Sequence, residues 1–177
     1  MKGVIFNLVE EVVAEAFGAD AWDAMLDSAG LDGAYTSLGS YPDAELTALV
    51  MAGAGLTGAA PDALVRDIGR LAIPRLEARY PQFFAGAGNA RAFILAINTI
   101  IHPEVRKLYS GAHCPHFHFA THGRGLILGY DSPRRLCHLA HGFIDGLALR
   151  YGEQISVSQP RCMHRGDAMC QLQLDWA

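Results

Sequence analysis

The sequence predicts an α+β fold, with a helical N-terminal part followed by an antiparallel β-sheet that has one helix inserted in it. Three observations carry this. Apolar residues recur at spacings of three and four through the first hundred positions. After Ser110 the chain alternates in polarity, with glycine punctuation. One helical stretch then interrupts the alternating region, so helices come first and strands follow. At 177 residues, 51% hydrophobic and 18% charged, the chain has the length of one domain and is too apolar for disorder. We therefore expect a single domain over 1–177, helical to about 110 and strand-rich from about 111.

Val4–Phe17 places Ile5, Leu8, Val9, Val12, Val13, Ala16 and Phe17 on one face and Glu10, Glu11 and Glu15 on the other, with Gly18 as C-cap. Asp20–Ala29 is a second short helix ended by Gly30, and 33–41 (GAYTSLGSY) reads as a loop. Pro42 opens a helix over Asp43–Ala54, and Pro61-Asp62 opens another over Ala63–Tyr80. A fifth helix covers 90–101. Its AFILAINTII run is apolar almost all round, which predicts burial. His102-Pro103 interrupts it, because proline lacks the amide hydrogen and disfavours helix at the residue before it. A kink or a stop follows, with helix resuming through Val105–Tyr109.

HFHFATHGRGLILGYDS (116–132) predicts a β-hairpin. Ser132-Pro133 reads as N-cap and first helical residue of a helix to about Tyr151. Its apolar stripe is Leu136, Leu139, Ala140, Phe143, Ile144 and Leu147. ISVSQPRCMHRGDAMCQLQLDW (155–176) predicts two strands around Arg165-Gly166-Asp167.

A net charge of −4, with only two lysines, lacks the basic footprint of a nucleic-acid binder. The longest uncharged run, Leu46–Pro61, is broken by Gly53, Gly55 and Gly58 and is shorter than the roughly 20 apolar residues a membrane span needs. Glu10 and Glu11 arrive before any signal-peptide core can form, so a cytoplasmic location is expected. Four cysteines in such a chain point to metal, redox chemistry or burial sooner than to a disulfide framework.

All eight histidines lie at or after position 102 and all four cysteines at or after 114, so imidazole and thiol chemistry is confined to the C-terminal portion. His102 ends the most apolar helix. It is either an ordinary half-buried histidine with a satisfied hydrogen bond or an axial ligand, the usual role of a neutral imidazole on haem iron. Tyr130, Ser132 and Arg134 stand at i, i+2 and i+4 and share one face of extended chain. They are either a strand end with an N-cap serine and a surface arginine, or a clamp for a dianion, helped by the helix start at Pro133. Together the two sets match what haem needs: an imidazole for iron, an oily slot for the ring, and donors for two propionates.

Motifs carrying a resemblance run from end to end: MKGVIFNLVEEVV, LDGAYTSLGSYPD, RYPQFF, IHPEVRKLYSGAHCPHF, YDSPRRLCHLAHGF and RCMHRGDAMCQL. In these the chain resembles the haem–nitric oxide/oxygen binding (H-NOX) family, bacterial relatives of the soluble guanylate cyclase sensor domain. The resemblance implies haem b held between the helical part and the sheet. His102 would be the proximal ligand, and Tyr130, Ser132 and Arg134 would hold the propionates. Ile5 and Pro115 would press on the porphyrin and distort it. Some family members that bind oxygen stably carry a tyrosine where this chain has Leu139, which donates no hydrogen bond. Nitric oxide, and carbon monoxide more weakly, is therefore expected over oxygen. Weakening of the His102–iron bond, with a pivot at Pro103, is the expected signal. The expected reader is a separate partner, a histidine kinase or a cyclic-di-GMP enzyme in this family, since the chain shows no output domain.

Cys162 and Cys170 flank the last turn, and Cys137 lies on the inserted helix. Three thiols and an imidazole suit tetrahedral zinc. Zinc-bearing relatives place the histidine where this chain has Gln159, so His164 or His141 would have to serve as fourth ligand. Reduced buried thiols and a redox disulfide are the alternatives. Cys114 has no evident partner. His113, His116, His118 and His122 read as solvent-facing positions, with Phe117 and Phe119 taking the apolar face. The leading expectation is a gas sensor without catalytic activity. A zinc- and thiol-based redox sensor on the same fold is the alternative, and a haem peroxidase would need a distal acid–base pair that no motif supplies.

Overall fold

The computed structural model describes residues 1–177. Helix α1 (Gly3–Phe17) ends at Gly18, which takes φ +92°, and α2 (Ala19–Ala29) ends at Gly30 in the left-handed region. The 33–41 loop folds back over the start of α1. Its carbonyls at Gly39 and Ser37 accept the Gly3 and Val4 amide hydrogens at 3.0 and 3.1 Å. Two of the unsatisfied donors of a helix N-terminus are thereby paired. A side chain at Gly3 would not fit, because its Cβ would stand 1.9 Å from the Thr36 carbonyl oxygen. Phe6 of α1 stacks on Tyr35 of the loop, ring centroids 4.2 Å apart. These contacts fix the turn of α1 that carries Ile5.

Helices α3 (Asp43–Thr57) and α4 (Pro61–Arg79) complete the N-terminal bundle. A short helix, α5 (Pro81–Ala85), follows where the sequence reading placed none. The inserted helix, α8 (Cys137–Tyr151), packs directly along α4. A Cβ at Gly142 would sit 1.9 Å from the Arg66 carbonyl oxygen, and one at Gly69 would sit 2.6 Å from that of Leu139. The two backbones therefore touch. Arg66 forks onto Asp145 across this contact, at 2.6 and 3.1 Å.

Helix α6 (Ala90–Ala96), capped by the Asn89 side chain, continues through a π-helical stretch (Ile97–Ile101) into α7 (His102–Leu108). The chain neither stops nor leaves helix at His102-Pro103. It widens, and the His102 amide hydrogen donates to the Ile97 carbonyl five residues back. Proline supplies no hydrogen and its ring crowds the carbonyl four residues back, and a wider turn accommodates both. This helix is not buried all round. Ala90, Phe93 and Ile94 face the core, while Leu95 and Ile100 are exposed, because α8 and the sheet cover only one side.

Strands β1 (His116–His122), β2 (Gly125–Asp131), β3 (Ile155–Arg161) and β4 (Cys170–Trp176) form one antiparallel sheet in the order β1-β2-β4-β3. Phe117 faces inward while His116, His118 and His122 face solvent, as the alternation predicts. One core joins the sheet to α8 and α6, and a second fills the bundle of α1–α4. Leu76, Leu136 and Phe143 touch both, so the cofactor expectation falls on the seam between them. No helix is long and apolar enough to cross a membrane.

The inserted helix begins at Cys137 and not at Pro133. The Tyr130 hydroxyl accepts the Leu136 amide hydrogen at 2.9 Å, and Arg135 takes φ +52°, a conformation that breaks helical continuity. Ser132 is therefore not its N-cap. The positive helix end expected beside the clamp lies further along the chain.

Candidate functional site

His102 sits where the π stretch meets α7. Asn98, one polar side chain in an apolar run, pins that stretch to β1. Its Nδ2 donates to the Phe117 carbonyl at 2.6 Å, and its Oδ1 accepts the Phe117 amide hydrogen at 3.1 Å. The His102 ring lies over Phe117 at 5.8 Å, and Phe117 meets Tyr130 at 5.9 Å. Burial, with the Arg106 charge adding to it, lowers the His102 pKa to about 4, against a weaker pull from the Pro115 backbone. The imidazole is therefore neutral at pH 7, and its buried Nδ1 has no hydrogen-bond partner. A buried, neutral, unpartnered ring nitrogen is costly in a folded protein and is what a metal ligand requires.

Tyr130 and Ser132 are buried at the end of β2 and in the turn after it. The Ser132 Oγ accepts the Arg134 amide hydrogen at 3.4 Å. Strand geometry does not set the whole trio, because β2 ends at Asp131 and a turn carries Ser132 and Arg134. The Arg134 guanidinium turns toward the helical half. Its Nε donates to Asp43 Oδ2 at 2.9 Å and its Nη1 to the His113 carbonyl. Asp43 also meets the Met1 ammonium at 2.7 Å. The sequence reading missed Asp43, whose position at a helix start explained it locally, and Asn98, whose isolation in AFILAINTII was the available signal.

Ile5 and Leu139 come together from α1 and α8 in a pocket whose eleven lining residues are all hydrophobic, among them Leu8, Val9, Leu136 and Phe143. Pro115 lies on the His102 side, just before β1. A neutral imidazole, an apolar lining, two buried hydroxyls and an arginine are the residue types a haem needs, and the apolar pocket is lined by neither His102 nor Tyr130, Ser132 or Arg134. A wide open groove lies elsewhere, along the outer faces of α4 and α8, and is lined by Asp62, Arg66, His138, His141 and Asp145.

Cys137, Cys162 and Cys170 meet, their sulfurs within 4.8 Å of one another and all three side chains buried. Cys162 and Cys170 approach across the last turn, where Arg161 pairs with Gln171. Burial pushes the Cys137 thiol up to about 12, although Gln159 donates to its Sγ at 3.3 Å and pulls the other way. The group stays protonated at neutral pH. The three sulfurs fit three corners of a zinc tetrahedron, and Gln159 brings an amide to the fourth side. Of the two histidines expected to complete the set, His164 reaches Cys137, together with His138. His141 does not. Its Nε2 faces Asp145 Oδ1 at 3.8 Å, because its place on α8 points it at the groove.

The Haem-NO-binding family model (HNOB) matches residues 2–159. An H-NOX protein from S. oneidensis, solved in the Fe(II)NO ligation state, is 31% identical to this chain. The match covers 100% of this chain and 99% of that one, with TM-score 0.93. The NMR structure of an H-NOX domain from Shewanella oneidensis in the Fe(II)CO ligation state is 30% identical, with 100% and 99% coverage and TM-score 0.90. The Fe(II) unliganded H-NOX protein from K. algicida shares the fold at 24% identity, with 100% and 97% coverage and TM-score 0.89. No curated protein matches the chain.

Proposed function

Since the chain belongs to the Haem-NO-binding family, whose H-NOX fold is that of a haem-based gas sensor, we propose that it binds haem b and senses nitric oxide. Carbon monoxide is a weaker ligand and oxygen a poor one. The observation that carries this reading is His102: neutral, with Nδ1 buried and unpartnered, at a π-helical turn. Bound haem supplies a ferrous iron to which diatomic gases attach.

His102 holds the iron from the proximal side. Tyr130, Ser132 and Arg134 take the propionates, for which Arg134 exchanges Asp43 for a ligand carboxylate. Ile5 and Pro115 would press on the ring and distort it. Leu139 offers no hydrogen, so polar bound oxygen gains nothing there, while nitric oxide needs no donor. The signal would be the freeing of His102 when a gas binds. The π turn beside Pro103 is the segment that moves, and Ile5 carries the shift into α1. Such a turn is one hydrogen-bond register from ordinary helix, which suits a two-state element. The output is read by a separate protein, a histidine kinase or a cyclic-di-GMP enzyme, in the cytoplasm, and the chain itself is not a catalyst.

The ultraviolet–visible spectrum of the ferrous protein, alone and with nitric oxide, tests this. We expect a five-coordinate nitrosyl, and loss of the proximal-histidine signature in His102→Gly. A six-coordinate nitrosyl at room temperature, or an unchanged spectrum in that variant, overturns it.

The thiol cluster favours a second reading, a zinc- and thiol-based redox sensor. Cys137 and Cys162 lie 3.9 Å apart, sulfur to sulfur. Joining them as a disulfide gives up two protons and two electrons, which reduce peroxide to water. Thiol titration and bound zinc, measured before and after peroxide with the haem spectrum unchanged, separate this reading from the first.

A further inference from the structure

The sulfur of Cys137 belongs to two clusters. One is the buried trio of thiols. The other is formed with one ring nitrogen each of His138 and His164, again all within 4.8 Å of one another. The second set faces outward. His138 is part-exposed, His164 is exposed, and His138 lines the groove along α4 and α8. The two rings stand 5.4 Å apart and inclined at 39°.

Each imidazole already has an orienting partner on Nε2. His164 Nε2 lies 2.7 Å from the Arg135 carbonyl oxygen. A carbonyl only accepts, so that nitrogen carries the hydrogen and Nδ1 keeps its lone pair. Arg135 is the one non-glycine residue with positive φ, +52°, so a strained backbone aims this carbonyl at the ring. His138 Nε2 stands 3.3 Å from Asp62 Oδ2 at the start of α4, an electrostatic contact and not a hydrogen bond. An imidazole held as His164 is, one ring nitrogen donating to a carbonyl and the other bare, is the usual form of a metal-binding histidine, and a carboxylate beside His138 favours a cation there.

We infer that Cys137, His138 and His164 form a binding site for a borderline-soft divalent ion of the zinc class, opening on the α4–α8 groove and distinct from the three-thiol cluster. One thiolate and two imidazoles match that class better than calcium or magnesium, which take oxygen ligands. Three protein ligands leave the fourth tetrahedral position to water. Cys137 is common to both sets, so one ion cannot fill both at once, and Cys162 and Cys170 remain thiols. The inference is independent of haem, and its test reads the ion alone.

The experiment uses the full, reduced chain, stripped with chelator and reloaded with zinc chloride. Absorption at the zinc edge should report one sulfur at about 2.3 Å and two nitrogens at about 2.0 Å. His138→Ala/His164→Ala should lose at least tenfold in zinc affinity while keeping its haem spectrum. Asp62→Asn, which removes only an orienting charge, should lose on the order of tenfold. Cys162→Ser/Cys170→Ser should still bind. Should that variant fail to fold, the ligand count and the histidine variants decide. A shell of three sulfurs, full affinity in the double-histidine variant, or no zinc retained by the reloaded chain each overturns the assignment.

Discussion

Arg134 Nε donates to Asp43 Oδ2 at 2.9 Å, a contact between residues 91 positions apart. It ties the turn after β2 to the first turn of α3, and so joins the sheet half to the helical half. Burial alone would raise the Asp43 carboxyl, but the Met1 ammonium and Arg134 outweigh it and hold the group below its ordinary value. A carboxylate depressed on folding stabilises the fold above its unfolded pKa of about 3.9, and that contribution is lost as pH falls through the lower folded value. In the haem-free chain, Asp43→Asn should therefore be less stable than the parent at pH 7, and the gap should close as pH falls below about 4. Denaturant midpoints across pH check this, and a gap that stays constant into acid contradicts it.

Leu139 lies in a wholly apolar pocket with Ile5. Leu139→Tyr places a hydroxyl there. One hydrogen bond to bound oxygen, at about 1 kcal/mol, corresponds to roughly fivefold longer retention. Oxygen dissociation from the ferrous protein measures it, and a tyrosine variant no better than the parent shows that the donor does not reach the ligand.

Gly142→Ala puts a methyl group 1.9 Å from the Arg66 carbonyl oxygen, where backbone and not a flexible side chain must yield. The cost should be about 1–3 kcal/mol, read as a lowered denaturant midpoint. An unchanged midpoint would mean that α4 and α8 separate freely.

Asn98→Ala leaves the Phe117 amide hydrogen and carbonyl without the partners that pin the π stretch to β1. Stability should fall by about 1–3 kcal/mol. Because His102 is four residues on, its spectrum should shift even where haem is retained. Amide exchange at Phe117 should quicken as well, and if it keeps its protection the bond is not holding the two elements together.

The four helices of the N-terminal bundle were legible because 3.6-residue periodicity and their Pro and Gly ends survive without any knowledge of neighbours, whereas the five-residue α5 is too short to show a period. The hairpins were legible from alternation and glycine. The π stretch was not, since Ile97–Ile101 has the composition of ordinary helix, and the widening is the response to Pro103 and to the Asn98 bonds. The start of α8 was misplaced because Ser132-Pro133 is a sound local signal, overridden by the Tyr130–Leu136 hydrogen bond. His102 and Tyr130 stood out by residue type and setting. Asp43 did not, because its importance comes from a contact made across the fold, and no local pattern records that.

Cys137 and Leu139 stand two residues apart on the first turn of α8, one among the sulfurs and the other in the apolar pocket. That turn lies against α4 with no side chain as cushion, since Gly142 follows within one turn. On the readings proposed above, an ion at Cys137 and a gas beside Leu139 would both push on that one turn, and α4 would bear both pushes.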